Sequence, residues 1–389
     1  MGNLSAASFV VVRIVVRINR GIESRLNQKY AGASRVDSNE QRENEQGADS
    51  EISDVLIFGA GPSGLHAACT AQDLGLSHRI IDRRGLAHSF VEYPQTLRFF
   101  SPPDEMEVGG VPLPMRGGDK PTREDILPYF RAVAHSRRLN LSLWEQIIDV
   151  HREGDLFVAH TLREPNGVGR RTYRGRTIVL ASGVWDEPNR LTCPGAEFPH
   201  VHSRFHEPTE YFGQDVLVVG GGNSAVYAAL ALSEARANVI FAMRRPPVAY
   251  QSHLRPFVVR DLQFAVDDKK VDLRTGVIVS AIEPERAWLQ PIEYDAAHEY
   301  GGHPCGDAYP VPARFVFALL GQRATGAFLH SLGLCLEPDG RPTHDPETYE
   351  TNVPGIYVTG SLAGSKIDII LTGRQQTAAV VQYIASRLH

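Results

Sequence analysis

Three features of the sequence predict an α/β protein of two Rossmann-like dinucleotide-binding domains, the second inserted into a discontinuous first. A strand, a glycine-rich turn and a helix begin at Val55, the same pattern returns at Asp215, and an apolar strand, loop and helix close the chain after Asn352. The 389 residues exceed the usual size of one domain, so at least two cores are expected. With 40 Lys and Arg against 45 Asp and Glu, the net charge of -5 argues against nucleic acid as the main partner, a role that needs a basic stripe to neutralise phosphates. Four scattered cysteines with no CxxC pair do not make a disulfide-stapled scaffold, and they point to a reducing, cytoplasmic setting.

Residues 1–52 read as a disordered extension. The run Phe9 to Ile18 is apolar but interrupted by Arg13 and Arg17, and a central Arg costs about 2.5 to 3.5 kcal/mol on membrane insertion, so no stable membrane insertion is expected. The stretch Asp37 to Gly47 is too polar to bury a core.

The first domain is expected over 53–195. Val55-Leu-Ile-Phe-Gly-Ala-Gly-Pro-Ser-Gly-Leu-His-Ala-Ala68 holds Gly59-x-Gly61-x-x-Gly64 between strand and helix. Gly59 permits the tight turn, Gly61 lets the backbone approach a pyrophosphate, and Gly64 lets the helix pack closely, with its N-terminus facing the anion. The next strand, Ser77 to Asp82, ends in an acid suited to ribose hydroxyls. Thr177 to Gly183 is a buried strand with a small-residue turn, and Asp186 to Gly195 is rich in chain breakers and reads as a linker.

The second domain is expected over 196–315. Its turn is Gly220-x-Gly222-x-x-Ala225, and its following strand, Ala237 to Met243, ends in Arg244 and Arg245 instead of an acid. Guanidinium groups in place of a carboxylate suit a 2′-phosphate, so NADPH is expected here and FAD at the first site. The pair implies hydride transfer from nicotinamide to flavin. Residues 316–389, with strands Phe315 to Gly321 and Asn352 to Gly360 and a helix from Gly373 to Tyr383, are expected to return and complete the FAD domain. The last helix would aim its N-terminus at the flavin.

With these parts in order, residues 53–389 resemble flavoprotein reductases of the thioredoxin reductase type, and among them the bacillithiol disulfide reductase family. Tyr93 to Pro103, Val108 to Pro112, Lys120 to Tyr129 and Tyr211 to Val216 carry the likeness. The resemblance implies that Gly59, Gly61, Pro62, Ser63, Gly64 and Asp82 hold FAD, and that Gly220, Gly222, Asn223, Ser224, Arg244 and Arg245 hold NADPH. It further implies that Gly360 and Arg374 belong to a flavin-facing segment, that the acceptor is a low-molecular-weight disulfide or related thiol-redox substrate, and that the protein is a homo-oligomer.

Three departures stand out. There is no CxxC, Ser63 occupies a position where the bacillithiol-type family carries Cys, and Ser361 follows Gly360 where many relatives carry Asp. Cys69 and Cys335 read as core residues, while Cys193 and Cys305 fall in a linker and a loop. His200, His202 and His206 read as a polar interdomain face and not as a metal site, and no metal is expected. Two alternatives stay open. One is a flavin-dependent monooxygenase, from a loose likeness between Phe198 to Phe205 and the linker signature of that group; the other is a catalytically silent redox sensor, from Ser63 and Ser361.

Overall fold

The computed structural model describes residues 51–115, 119–246, 254–295, 302–324, 326–364 and 369–388. The expected N-terminal extension, with its apolar run, lies outside them apart from its last two residues. Ile52 already pairs with Arg174 as the first residue of a strand.

The first layer starts with β1 (Ile52–Phe58), α1 (Pro62–Asp73) and β2 (His78–Asp82), followed by α2 (Arg123–Ser136) and β3 (Leu141–Leu143). Then come β4 (Glu145–Glu153), β5 (Leu156–Arg163) and β6 (Arg170–Leu180). Val55 to Phe58 are fully or almost fully buried, as expected of a parallel strand covered on both faces. The strand order is β3-β2-β1-β6-β5-β4. β1, β2, β3 and the C-terminal half of β6 run parallel, whereas β4, β5 and the N-terminal half of β6 form an antiparallel flank.

Two short strands, β7 (Glu187–Pro188) and β8 (Val201–His202), lead into the second layer. It contains β9 (Asp215–Val219), α3 (Asn223–Glu234), β10 (Asn238–Met243), α4 (Pro256–Asp267) and β11 (Val271–Thr275). The strands β12 (Val277–Glu283), β13 (Arg286–Tyr294), β14 (Gly302–Pro304) and β15 (Tyr309–Pro312) make an antiparallel sheet beside it. β16 (Phe315–Ala318) returns to pair with β9, giving the parallel order β11-β10-β9-β16-β8. This corrects the expected boundary at 315: Phe315 to Ala318 complete the second sheet, and the return crossing comes after them. β17 (Gln322–Arg323) pairs antiparallel with β7, so outgoing and returning chains cross as one ribbon.

The C-terminal segment then rejoins the first layer. β18 (Ile356–Val358) pairs with β6, and α5 (Ile369–Leu388) packs beside α1, with Val380, Val381 and Ile384 in the same core as Val55, Leu65 and Ala68. The discontinuous first domain is therefore present. α5 starts before Gly373, so that glycine lies inside the helix and not at its N-terminus. Among the described residues, no helix is long and apolar enough to cross a membrane.

Candidate functional site

At the first turn the three glycines separate by role. Gly59 has a φ of +117°, in the region that favours glycine, and a Cβ there would meet the Ala181 backbone. A Cβ at Gly64 would lie 3.0 Å from Gly59 C, closer still to its carbonyl oxygen, so glycine is what lets α1 approach β1. A Cβ at Gly61, by contrast, meets nothing within 4 Å. Gly61 N-caps α1 without a side-chain cap, leaving the first N–H groups of the helix facing open space.

Asp82 holds this turn together. Its Oδ2 accepts from Ala60 N at 2.7 Å and its Oδ1 from Arg84 N at 2.8 Å. Burial pushes the carboxyl pKa upward, while the two N–H donors pull it back. A carboxylate has about four lone-pair sites, so acceptor capacity remains for hydroxyls.

The second turn repeats the logic with one change. Gly220 has a φ of +155° and a Cβ there would meet the Leu319 backbone, while a Cβ at Gly222 meets nothing within 4 Å. Ala225 stands where the first turn has Gly64, and its methyl is tolerated as a fully buried packing contact. Arg244 and Arg245 follow β10 directly, and Arg245 Nη1 would be 3.9 Å from a Cβ on Gly221, which puts its guanidinium beside the turn. Arg255, just ahead of α4, donates its backbone N–H to Asn223 Oδ1 at 3.4 Å.

Both turns open on one cavity of about 470 Å³. Gly59, Gly61, Pro62, Ser63 and Asp82 line it from the first layer, and Asn223 and Ser224 line it from the second. Gly64, Gly220, Gly222, Arg244, Arg245, Gly360 and Arg374 are not on its wall. Gly360, with φ +65°, and Gly373 both crowd the Ser63 hydroxyl, so α5 and the loop before it fix that side chain. Arg374 donates Nη1 to the carbonyls of Asp104 (3.1 Å) and Glu107 (3.2 Å), which ties α5 to the 104–113 loop. That loop is also pinned by His66 Nδ1, which accepts from Gly109 N at 3.0 Å, and by Tyr129 of α2, whose hydroxyl accepts from Val108 N at 2.6 Å and donates to Val111 O at 2.7 Å.

Sequence reasoning missed much of the cavity wall. Tyr93 and Trp185 meet edge to face at 4.5 Å, Phe90 packs on Phe99, and Arg98, Arg204, Tyr227 and Arg255 also line the space. Arg204 is paired with Glu92 and lies over the Trp185 ring. The stretch Tyr93 to Pro103, which carries the family likeness, was the one signal for this wall.

All four cysteines lie outside the cavity lining. Cys69 is buried against Gly109, and burial pushes its thiol up to about 11. Cys193 is half-buried and Cys305 exposed. Cys335, expected in the core, is exposed. Leu334 turns inward, so its neighbour in the extended segment faces out, with Cys335 N donating to Asn352 Oδ1. His200 stacks on Phe198 and His202 packs on Phe317, so aromatic packing occupies these linker histidines.

The residues fit a bound dinucleotide at each turn. The space in front of Gly61 and Gly222 is free of protein, and Trp185 Nε1, buried and on the cavity wall, has no hydrogen-bond partner among the described residues. A match to the family described as pyridine nucleotide-disulphide oxidoreductase spans residues 56–360. The chain belongs to that family. The chain is 29% identical over 311 residues to bacilliredoxin reductase Bdr of Bacillus subtilis (strain 168), covering 79% of this chain and 89% of the relative. It is 24% identical over 341 residues to ferredoxin-NADP reductase of Rickettsia massiliae (strain Mtu5), covering 86% and 93%. The structure of bacillithiol disulfide reductase Bdr (YpdA) from Bacillus cereus matches with a TM-score of 0.78 at 29% identity, over 87% of this chain and 100% of that one. A flavin-containing monooxygenase from Stenotrophomonas maltophilia, with a TM-score of 0.69 at 20% identity over 87% of this chain and 100% of that one, shares the fold.

Proposed function

We infer that the protein is an NADPH-dependent, FAD-containing reductase of a low-molecular-weight disulfide. The carrying observation is that residues of both glycine turns line one cavity, Asp82 among them, while the strand that follows the second turn ends in Arg244 and Arg245, outside that lining, instead of an acid. FAD supplies the chemistry of taking a hydride from NADPH and delivering two electrons to the acceptor. The net reaction is NADPH, a proton and a disulfide giving NADP+ and two thiols.

In this reading Gly59, Gly61, Pro62, Ser63 and Gly64 cradle the FAD pyrophosphate, and Asp82 accepts from the ribose while bracing the turn. Gly220, Gly222, Asn223 and Ser224 do the same for NADPH, and Arg244 and Arg245 bind the 2′-phosphate. Gly360 and Arg374 are positioning residues: one makes room for Ser63, and the other holds the 104–113 loop in place. The aromatic wall of Phe90, Tyr93, Phe99 and Trp185 excludes water from the reacting groups. With Ser63 at the turn and no cysteine on the wall, the acceptor disulfide is reduced without a protein thiol relay. The four free cysteines fit a reducing cytoplasm.

Anaerobic titration tests this reading. One NADPH per FAD should bleach the flavin fully, and a disulfide should restore its colour. Consumption of two NADPH per FAD would disprove the thiol-free route. A protein that cannot be reconstituted with FAD would disprove the assignment as a whole.

A further inference from the structure

The antiparallel flank of the first sheet carries side chains that play no part in the reaction above. β4 is the outermost strand of its sheet and pairs with β5. Asp149 stands opposite His160 in that register, just after a register shift at Ile147, where a bulge re-aims the strand. His151, two residues on, shares the face of Asp149 because side chains alternate along a strand. One ligand atom from each of Asp149, His151 and His160 lies within 4.8 Å of the other two.

We propose that Asp149, His151 and His160 form a binding site for a borderline-soft divalent cation of the zinc type, which staples β4 to β5. The donor set decides the class of ion. Calcium and magnesium select six or more oxygens, whereas two imidazoles and one carboxylate suit zinc, with a fourth position left for water.

The neighbours orient the ligands as metal sites require. His160 Nδ1 is 3.0 Å from Thr172 Oγ1, which leaves Nε2 as the ligand atom. His151 Nε2 is 3.3 Å from Glu153 Oε1, so this carboxylate accepts from Nε2–H and leaves Nδ1 for the ion. Glu153 is itself held by Arg174, 3.8 Å from its other oxygen. His151 Nδ1 lies 2.8 Å from Asp149 Oδ2, and the cation takes the place of the proton between them, which is released on binding. Zinc bonds of about 2.0 to 2.1 Å put tetrahedral ligand atoms about 3.3 Å apart. Asp149 and His151 are exposed, so rotation of their side chains closes the remaining distance.

The test uses the untagged, full-length, FAD-loaded protein after treatment with a chelator. Equilibrium dialysis against micromolar zinc chloride, with the bound metal measured, should give one zinc lost on His160→Ala or His151→Ala and retained on His202→Ala. Affinity should fall at least tenfold in the first two variants, and a hundredfold excess of magnesium should not displace the ion. The thermal midpoint should rise with zinc in the wild type and stay fixed in His160→Ala. The conservative His160→Gln provides a second reading if Ala disturbs the hairpin. Equal zinc uptake by the wild type and both His160 variants would overturn the site. Loss tracking His202 instead, or ready displacement by magnesium, would overturn the ligand assignment.

Discussion

Substituting Gly61 and Gly64 one at a time separates cofactor space from packing space within a single turn. A methyl on Gly64 would stand 3.0 Å from Gly59 C, where carbon atoms rest about 3.5 to 4.0 Å apart, and nearer still to the carbonyl oxygen. Gly59 cannot yield, because the Ala181 backbone closes its other side. The N-terminus of α1 must therefore retreat by about 1 Å, a displacement that can cost about 100-fold in a positioned site. Overpacking of this kind costs about 1 to 3 kcal/mol, more than the gain of under about 1 kcal/mol from Ala in a helix. Gly64→Ala should thus lower the thermal midpoint of the apoprotein by about 2 to 10 °C and weaken FAD binding about 100-fold. Gly61→Ala has an ordinary backbone conformation, φ -81°, and free space, so the apoprotein should lose at most about 1 kcal/mol as a poorer N-cap. Its methyl fills the space assigned to the pyrophosphate, so FAD binding should still collapse. Differential scanning fluorimetry of the apoproteins and FAD titration followed by fluorescence quenching give the two readings. A Gly61→Ala protein that binds FAD like the wild type would refute the placement of the pyrophosphate, and an unshifted Gly64→Ala would refute the packing argument.

Three further outcomes are expected. Arg244→Ala with Arg245→Ala should raise the Michaelis constant for NADPH by about 10- to 100-fold, the worth of one charged hydrogen bond or slightly more, and barely change that for NADH; equal shifts would remove the 2′-phosphate assignment. Burial, with Arg374 nearby, holds His66 down to about 4, and burial with Arg79 does the same for His78, so both are neutral when folded at pH 7. Their unfolded forms take up protons below about 6.5, so stability is complete above that pH and falls from there to about 4, by about 1.4 kcal/mol per pH unit for each histidine. Urea midpoints at pH 7 and pH 5 should therefore diverge less in His78→Gln than in the wild type. N-ethylmaleimide should label Cys305 and Cys335 quickly, spare buried Cys69, and leave turnover intact, as read by mass spectrometry alongside NADPH oxidation.

What the sequence disclosed depended on how local the physical cause was. Gly64 was legible because a side chain there would strike Gly59 within one strand-turn-helix unit, and Gly59 and Gly220 because the turn itself runs through positive φ, although the Ala181 and Leu319 backbones that close on them come from just past β6 and β16. Phe315 to Ala318 were readable as a strand, but their pairing with β9 is a long-range choice that no local pattern expresses, so the domain boundary fell short. Cys335 shows the same limit on a smaller scale: flanking leucines announced a core, and the side-chain alternation of an extended chain turned it outward. The helix expected from Gly373 begins earlier because that glycine serves the close approach to Ser63 and not a helix end. The cavity wall was least legible, since Arg98, Trp185, Arg204 and Arg255 come from separate segments that meet only after both layers are assembled.

Asp82 combines both kinds of cause, and this governs how the first site should be probed. An acid at the end of β2 looks, in sequence, like a ribose contact, yet its two oxygens already accept the N–H groups of Ala60 and Arg84. Removing the carboxylate would leave those donors without their acceptor and loosen the turn before any cofactor arrives. An Asp82→Ala protein that fails to hold FAD would therefore report the loss of the turn as much as the loss of a ribose contact. Asp82→Asn retains one carbonyl oxygen and replaces the other acceptor with an NH2 donor facing a backbone N–H, so it also disturbs the turn. Gly61 carries no such double duty: its backbone is ordinary, its surroundings are open, and a methyl there changes little except the space in front of the helix. The residue with the least side chain is thus the most specific probe of the flavin site.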